Sequence, residues 1–282
     1  MIIIIRLLGG VGNQMFQYAL GRVLSLALNR QLFIETSLLE AAKSTPGFTA
    51  RNFDLDMFDI RLDLLNIEKH IKVDDKIYSI TEKSFEYDEN LFELVKTIDH
   101  PVMLSGHWQS YKYLELFNKT IKKDFKLNLK LTEHWLELSR LISSTESVMI
   151  NVRRTDYLLK QDYHGVVTNQ YLTAAINIIK TKITNPYFFI FSDDITWCKE
   201  NIPLSSNIFF VDNKYYDEKY QRYLQLMCSC NHFILSNSSF AWWSAYLGSG
   251  KKSIVIAPKE WFTVDINTRD LTPKSWIRLS MY

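Results

Sequence analysis

The chain has 282 residues, of which 47% are hydrophobic and 23% charged, the balance of a folded soluble protein with room for one large domain or two ordinary ones. A formal net charge of +2, without a long Lys/Arg block, excludes a basic tail and gives no reason to expect nucleic acid as a partner. The three cysteines (Cys198, Cys228 and Cys230) and the six histidines show neither a disulfide framework nor zinc-ligand spacing, so no metal cofactor is expected.

In chain order, the apolar run Ile2–Leu8 predicts a fully buried strand. Broken at Arg6, it is too short for a signal core or a membrane span, and a cytoplasmic location is expected. Gly9-Gly10-Val11-Gly12 ends the strand, and Phe16, Leu20, Val23, Leu24, Ala27 and Leu28 recur at helical spacing within Asn13–Asn29. Gln31–Glu35 resumes a strand, giving a βαβ opening with a glycine-rich turn. A strand at Pro101–Ser105 and a helix at Thr132–Ser144 complete the readable part of the first half. In the second half, strands are predicted at Val148–Val152, Tyr187–Phe191, Ile208–Val211, Phe233–Leu235 and Ile254–Ile256. Helices are predicted at Asn169–Lys182, Ile195–Asn201, Asp217–Cys228 and Phe240–Leu247. Such alternation predicts a parallel, helix-covered sheet. The break between halves is placed at Ser143-Ser144-Thr145, dividing the chain into residues 1–144 and 145–282.

Charge and small polar residues gather where predicted strands end. Asn151-Val152-Arg153-Arg154-Thr155-Asp156-Tyr157 carries an arginine pair to the carboxyl edge of a sheet, where open α/β folds bind ligands. Paired guanidinium forks suit a diphosphate, although an Arg-Arg pair on a solvated loop is the commoner occurrence. Arg154 is expected to pair with Asp156 beneath such a site. Ser192-Asp193-Asp194 reads in two ways, as a helix N-cap or as acids contacting a base, a sugar hydroxyl or a metal. Ser236-Asn237-Ser238-Ser239-Phe240 opens the next helix with hydroxyls and amides that suit phosphate oxygens. Trp242 and Trp243, which follow, are assigned to the core rather than to substrate stacking.

At the first turn, Gly10-Val11-Gly12 satisfies part of a dinucleotide fingerprint, but Met15 stands where the third glycine belongs. A nicotinamide role is therefore set aside. Gly10, Gly12, Asn13 and Gln14 are instead expected to bring backbone and amides to a polar ligand at a helix N-terminus. Asp54-Leu55-Asp56 matches the D-x-D of metal-dependent sugar transferases in letters only, and is read as a surface segment. In Gln161-Asp162-Tyr163-His164-Gly165, a histidine near an acid follows the arginine strand by one short loop, and Asp162 and His164 are the candidates for a general base.

Taken in order, these segments resemble the α-1,2-fucosyltransferases of glycosyltransferase family 11. Leu8-Gly9-Gly10-Val11-Gly12-Asn13-Gln14-Met15-Phe16-Gln17-Tyr18-Ala19 is similar to that family's N-terminal signature, and Asn151–Tyr157 to its H-x-R-R-x-D motif. Phe191–Asp194 and Ser236–Trp243 resemble its two later motifs, so the resemblance spans the chain. The Asn151–Asp156 stretch also looks like that of α-1,6- and nodulation fucosyltransferases. The resemblance implies an α/β GT-B fold, with two Rossmann-like domains whose parallel sheets face a cleft. Residues 1–144 would form the acceptor-side domain and residues 145–282 the GDP-fucose-binding domain.

It further implies GDP-fucose as donor, a galactose-terminated oligosaccharide or lipid-linked glycan as acceptor, no required metal and inversion at the anomeric carbon. A lipid-linked acceptor would bring the protein to the inner membrane surface. By the same resemblance, Arg153 would hold the β-phosphate. The Ser236–Ser239 turn, Ser239 above all, would share the diphosphate. Arg154, Asp156, Asp193, Asp194 and Phe240 complete the expected donor contacts, with Gly10, Gly12, Asn13 and Gln14 from the first turn. The family usually has His where this chain has Asn151, which can hydrogen-bond guanine but cannot titrate. Two other functions remain open: a GDP-fucose-dependent transferase making another linkage, and a non-catalytic protein that only binds a nucleotide sugar.

Overall fold

The computed structural model describes residues 1–44, 51–71, 76–203 and 206–282. They divide into two compact units, one of Met1–Lys126 with Asn267–Pro273, the other of Leu127–Ile266 with Lys274–Tyr282. The helix Glu133–Ser143, read from sequence as closing the first half, thus belongs to the second unit, and residues 267–273 to the first.

The first unit is built on β1 (Ile2–Arg6), β2 (Gln31–Glu35), β3 (Tyr78–Thr81) and β4 (Val102–Ser105). They form a four-stranded sheet in the order β2-β1-β4-β3, all parallel. Ile3, Ile4 and Ile5 are wholly buried, as a continuous apolar run in a central parallel strand requires. Gly9 turns the chain at φ 77, a conformation that favours glycine, and the helix Val11–Leu28 begins two residues later. Its C-cap is Asn29 at φ 51.

Gly21 brings this helix close to the sheet: a Cβ there would meet Ile5 Cγ1 at 2.3 Å and Leu32 Cδ1 at 2.8 Å. Gly21→Ala is therefore expected to lower stability by about 1–3 kcal/mol, since both neighbours belong to a packed interior that must shift. Chemical denaturation of the variant checks this, and an unchanged midpoint would contradict it. Within the same unit, the returning segment is fixed by Asp270. Its carboxylate takes an ion pair from Lys112 at 2.8 Å and a hydrogen bond from the Tyr87 amide at 3.2 Å.

The second unit holds β5 (Glu146–Val152), β6 (Pro186–Ser192), β7 (Ile208–Val211), β8 (His232–Ile234), β9 (Val255–Pro258) and β10 (Ile277–Leu279). The six strands are parallel in the order β10-β9-β8-β5-β6-β7. All carboxyl ends therefore lie along one edge, with the ends of β6 and β8 flanking that of the central β5. Helix Asn169–Lys182 is capped by Thr168, whose hydroxyl accepts from the Tyr171 amide. Helix Ser239–Gly248 is apolar nearly all round and buried accordingly, with Trp242 and Trp243 both fully enclosed. Among the described residues no helix is long and apolar enough to cross a membrane.

Candidate active site

The residues singled out in the second half converge on the shared edge of β5, β6 and β8, and the geometry assigns them different duties. Arg153 leaves the end of β5 with its side chain 31% exposed. Its Nη2 donates to Asp156 Oδ2 at 2.7 Å and its Nη1 lies 3.1 Å from Asp193 Oδ2. Burial works against its charge, but the two carboxylates prevail and hold its pKa above the ordinary value. The result is a guanidinium fixed in plane by two anions and still partly open to solvent.

Arg154 turns elsewhere. Its guanidinium lies 3.9 Å from the centroid of the Trp197 ring and its Nε is 3.4 Å from Asp194 Oδ2. The expected Arg154–Asp156 pair is thus replaced by Arg153–Asp156, the chain turning at Arg154 into the short helix Thr155–Leu158. Arg154 ties two loops together through packing. Arg154→Ala is expected to lower stability by about 1–3 kcal/mol, from the lost stacking and the Asp194 charge left behind. A thermal melt checks this, and an unchanged melting temperature would contradict it.

The acids after β6 are also committed. Asp193 Oδ1 accepts the Arg154 amide at 2.9 Å, while Oδ2 accepts the Thr155 amide at 3.2 Å and the Thr155 hydroxyl at 2.5 Å. With the Arg153 contact, this carboxylate organises the whole arginine loop. Asp194 is the N-cap of helix Ile195–Asn201, its Oδ1 accepting the Trp197 amide at 3.0 Å. The capping alternative is the one realised. Among the described residues no three His, Cys, Asp or Glu side chains are grouped to hold a metal ion.

Asn151 and part of the turn after β8 are likewise tied into the fold. Asn151 is buried, donating to the Phe191 carbonyl at 3.3 Å and accepting from the Ser236 hydroxyl at 2.5 Å. It stitches the ends of β5, β6 and β8 and leaves Ser236 no free hydrogen. Asn237 is also buried and donates to the Gly165 and Trp261 carbonyls, both at 2.9 Å. Ser238 is the N-cap of helix Ser239–Gly248 without a side-chain cap bond. Ser239 and Phe240 are partly exposed at that helix start, where backbone N–H groups and the positive end of the dipole favour an anion. Of the four small polar residues, Ser238 and Ser239 thus stand at the helix mouth and Ser236 and Asn237 beneath it.

The two base candidates separate clearly. Asp162 is exposed and its side chain has no hydrogen bond among the described residues. His164 lies flat on Tyr157, with ring centroids 4.4 Å apart and an interplanar angle of 11°. Tyr163 meets it edge-on at 4.9 Å, and Phe262 stands 6.0 Å away. Burial lowers the His164 pKa from its ordinary value, with Asp156 opposing, and its Nδ1 is buried without a hydrogen-bond partner. Gly165 lets the C-terminal segment pack close to the backbone next to His164, since a Cβ there would meet Met281 Cε at 2.5 Å. Tyr157, not selected from the sequence, is the hub. It stacks on His164, lies 5.9 Å from the Arg153 guanidinium and donates its hydroxyl to the Asn237 carbonyl at 3.1 Å. Only its place inside the arginine motif could have marked it.

In the first unit the glycine turn is differently arranged. Gln14 is fully buried, donating to the Gly9 and Asn52 carbonyls at 3.0 and 2.8 Å and accepting the Asp54 amide at 3.0 Å. It is a scaffold for that turn. The same bonds draw in Asp54-Leu55-Asp56, whose Leu55 is wholly buried, so the surface reading holds only for the exposed Asp56. Gly12 is buried, Gly10 and Asn13 are partly exposed, and Asn13 Oδ1 accepts from Gln109 Nε2 at 2.7 Å. A carboxyl the sequence did not reveal, Glu82, ends β3 at this edge. It accepts the His107 and Trp108 amides at 2.7 and 2.8 Å, and burial pushes its pKa up to about 7.

Two α/β units with parallel sheets of four and six strands, the second with a cation and a helix start at its carboxyl edge, give the chain a fold of the GT-B type. The fold is that of the fucosyltransferase NodZ from Bradyrhizobium. A TM-score of 0.53 relates the two over 87% of this chain and 92% of that one, at 13% sequence identity. The chain belongs to glycosyl transferase family 11, whose family model matches residues 2–280. It is 30% identical to an α-1,2-colitosyltransferase of Escherichia coli over 99% of each chain. It is also 26% identical to the O-antigen biosynthesis glycosyltransferase WbnK of Escherichia coli, over 96% of this chain and 98% of that one. The galactoside α-(1,2)-fucosyltransferase 1 of Mus musculus is 29% identical over 86% of this chain and 62% of its own length.

Proposed function

We propose that the chain transfers L-fucose from GDP-β-L-fucose to the 2-hydroxyl of a terminal β-galactoside, with inversion, in the synthesis of O-antigen or another surface glycan. The observation that carries this reading is Arg153, held in plane by Asp156 and Asp193 at the sheet edge where helix Ser239–Gly248 begins. A departing nucleoside diphosphate gains negative charge, and a preorganised cation beside helix N–H groups stabilises that charge as it develops. The donor belongs to the unit that carries Arg153, and acceptor recognition to the N-terminal unit. A lipid-linked acceptor would bring the enzyme to the inner membrane surface.

In the reaction the acceptor oxygen attacks the anomeric carbon, and the bond from that carbon to the β-phosphate oxygen breaks with its electron pair going to the phosphate. The hydroxyl proton passes to His164, which its aromatic surroundings keep neutral at neutral pH and so able to receive it. Asp162, exposed and unsupported, has no part in this step. No divalent cation is needed where the arginine supplies the positive charge.

A second reading is favoured by the 30% identity over 99% of each chain to the colitosyltransferase: the same attack with colitose as the transferred sugar. Mass spectrometry of reactions containing GDP-fucose or the corresponding colitose donor, a panel of galactosides and excess EDTA tests both. The fucosylated galactoside should form at full rate in the chelator. Product with the colitose donor alone would select the second reading, and binding of either donor without product would leave a nucleotide-sugar-binding protein.

A further inference from the structure

The short helix Asn118–Asp124 of the first unit carries a charge pattern that neither sheet edge uses. Between positions 115 and 126, Lys119, Lys122, Lys123 and Lys126 stand against Glu115 and Asp124. That leaves +2, which is the formal charge of the whole chain, so the remaining residues balance. The imbalance is sharper at the surface, because the acid of the helix is turned away from it. Asp124 Oδ2 accepts from Arg22 Nε at 3.0 Å and from the Tyr18 hydroxyl at 3.2 Å, and its side chain is 14% exposed.

The direction of the lysines follows from what the helix buries. Ile121 and Phe125 are enclosed, and the Phe125 ring packs against Tyr18 at 5.5 Å and Phe58 at 4.9 Å. Positions 119, 123 and 126 fall on the opposite side, at spacings of four and three. The last is carried on by a turn in which the Lys126 amide donates to the Lys123 carbonyl at 3.2 Å. All three lysines are exposed, and none has an ion pair among the described residues.

Helix-end charge accounts for Lys122 and Lys123 in the last turn, but it disfavours Lys119 in the first, where no acid stands. Like charges four residues apart also repel. Three residues before Lys119, Leu116 is 65% exposed. In water an apolar side chain and an uncompensated row of ammonium groups are both poorly served. An anionic bilayer serves both, offering hydrocarbon to the one and headgroup charge to the others.

We infer that this face of the first unit, Leu116 with Lys119, Lys123 and Lys126, docks on an anionic lipid bilayer. A nucleic acid would answer the lysines but leave Leu116 in water, and its phosphates are better matched by the planar fork of arginine. The inference rests on the proposed function for its purpose, since a lipid-linked acceptor is met at such a surface. Its test is independent of that function, because vesicles without acceptor suffice.

Co-sedimentation of the full chain with vesicles tests it, using equal parts phosphatidylglycerol and phosphatidylcholine against phosphatidylcholine alone. The chain should bind the anionic vesicles at low salt and the neutral ones far more weakly. Salt should release it as the screening length falls toward about 3 Å near 1 M. Lys119→Ala, Lys123→Ala and Lys126→Ala combined should lower the partition roughly 10²-fold, at about fivefold for each lysine. Leu116→Ser alone should lower it roughly tenfold. All four positions are exposed, so thermal melts should match, and transfer to a soluble galactoside should be unchanged. No partition onto anionic vesicles, equal binding to neutral ones, or either variant binding as the unaltered chain does would overturn the docking face. Binding to a DNA duplex without binding to vesicles would overturn it too. Failure of the proposed function shows separately, as a chain that binds anionic vesicles yet transfers no sugar to a soluble galactoside.

Discussion

Arg153→Lys is expected to lower kcat by roughly 10²–10³ while the fold is retained. Lysine keeps the charge but is a point donor on a flexible stem, whereas the guanidinium spreads its donors over a rigid plane. In this chain that plane is set by Asp156 on Nη2 and Asp193 on Nη1, and Asp193 is itself fixed by the Arg154 and Thr155 amides. An ammonium in the same place can satisfy one carboxylate or meet a phosphate, but not hold both in register. The loss should fall on kcat, because the leaving diphosphate carries more charge in the transition state than in the bound donor. Steady-state kinetics measures this, with a thermal melt to confirm folding. Full activity in the folded variant would remove Arg153 from the diphosphate.

His164→Ala is expected to lower kcat/KM by roughly 10²–10⁴ and to remove the acidic limb of its pH profile. The sign follows from the surroundings of the ring. Burial among Tyr157, Tyr163 and Phe262 disfavours the imidazolium, so His164 titrates below its ordinary value of about 6.5. As a base it works in the neutral form, so activity should rise with pH through that lowered pKa and be level at neutrality. The same depression makes the ring's contribution to stability complete above about pH 6.5, and that contribution is lost as pH falls through the folded value. Asp162→Asn should leave the profile intact. If the limb persists in His164→Ala, the base is another group, and Glu82, pushed up to about 7 by burial, is then the acid of the N-terminal unit to replace next.

Much of the second unit was legible in the sequence because its central strands are buried on both faces. Val148–Val152 and Tyr187–Phe191 are unbroken apolar runs, and each ends in a polar cluster that marks the sheet edge. Tyr78–Thr81 escaped notice for the opposite reason. It is an edge strand with one partner and mostly exposed side chains, so it shows no apolar run. The short edge strand Ile277–Leu279 is similar, with no buried residue.

At the site, sequence located the edge but could not divide its labour. Asn151, Ser236, Asn237 and Gln14 are polar residues at strand ends or turns, and the same letters serve whether the partner is a ligand or a neighbouring loop. In the fold all four side chains are buried and hydrogen-bonded to neighbouring segments, with Asn237 Oδ1 alone among their polar atoms in meeting no donor among the described residues. Asp193 and Asp194 show the same ambiguity, and the amides that converge on them give them loop organisation and capping as roles within the fold. Tyr157 and Trp197 had no signal of their own, because an aromatic that orients a charged neighbour looks in sequence like any core residue.

The most direct test of the account is the linkage in the product. Purified chain incubated with GDP-fucose and a β-galactoside should yield one new glycosidic bond, and two-dimensional NMR should place it as α-fucose on the galactose 2-oxygen, with one GDP released per bond. A bond at another galactose oxygen, a β-anomer, or GDP released without any glycoside formed would contradict it.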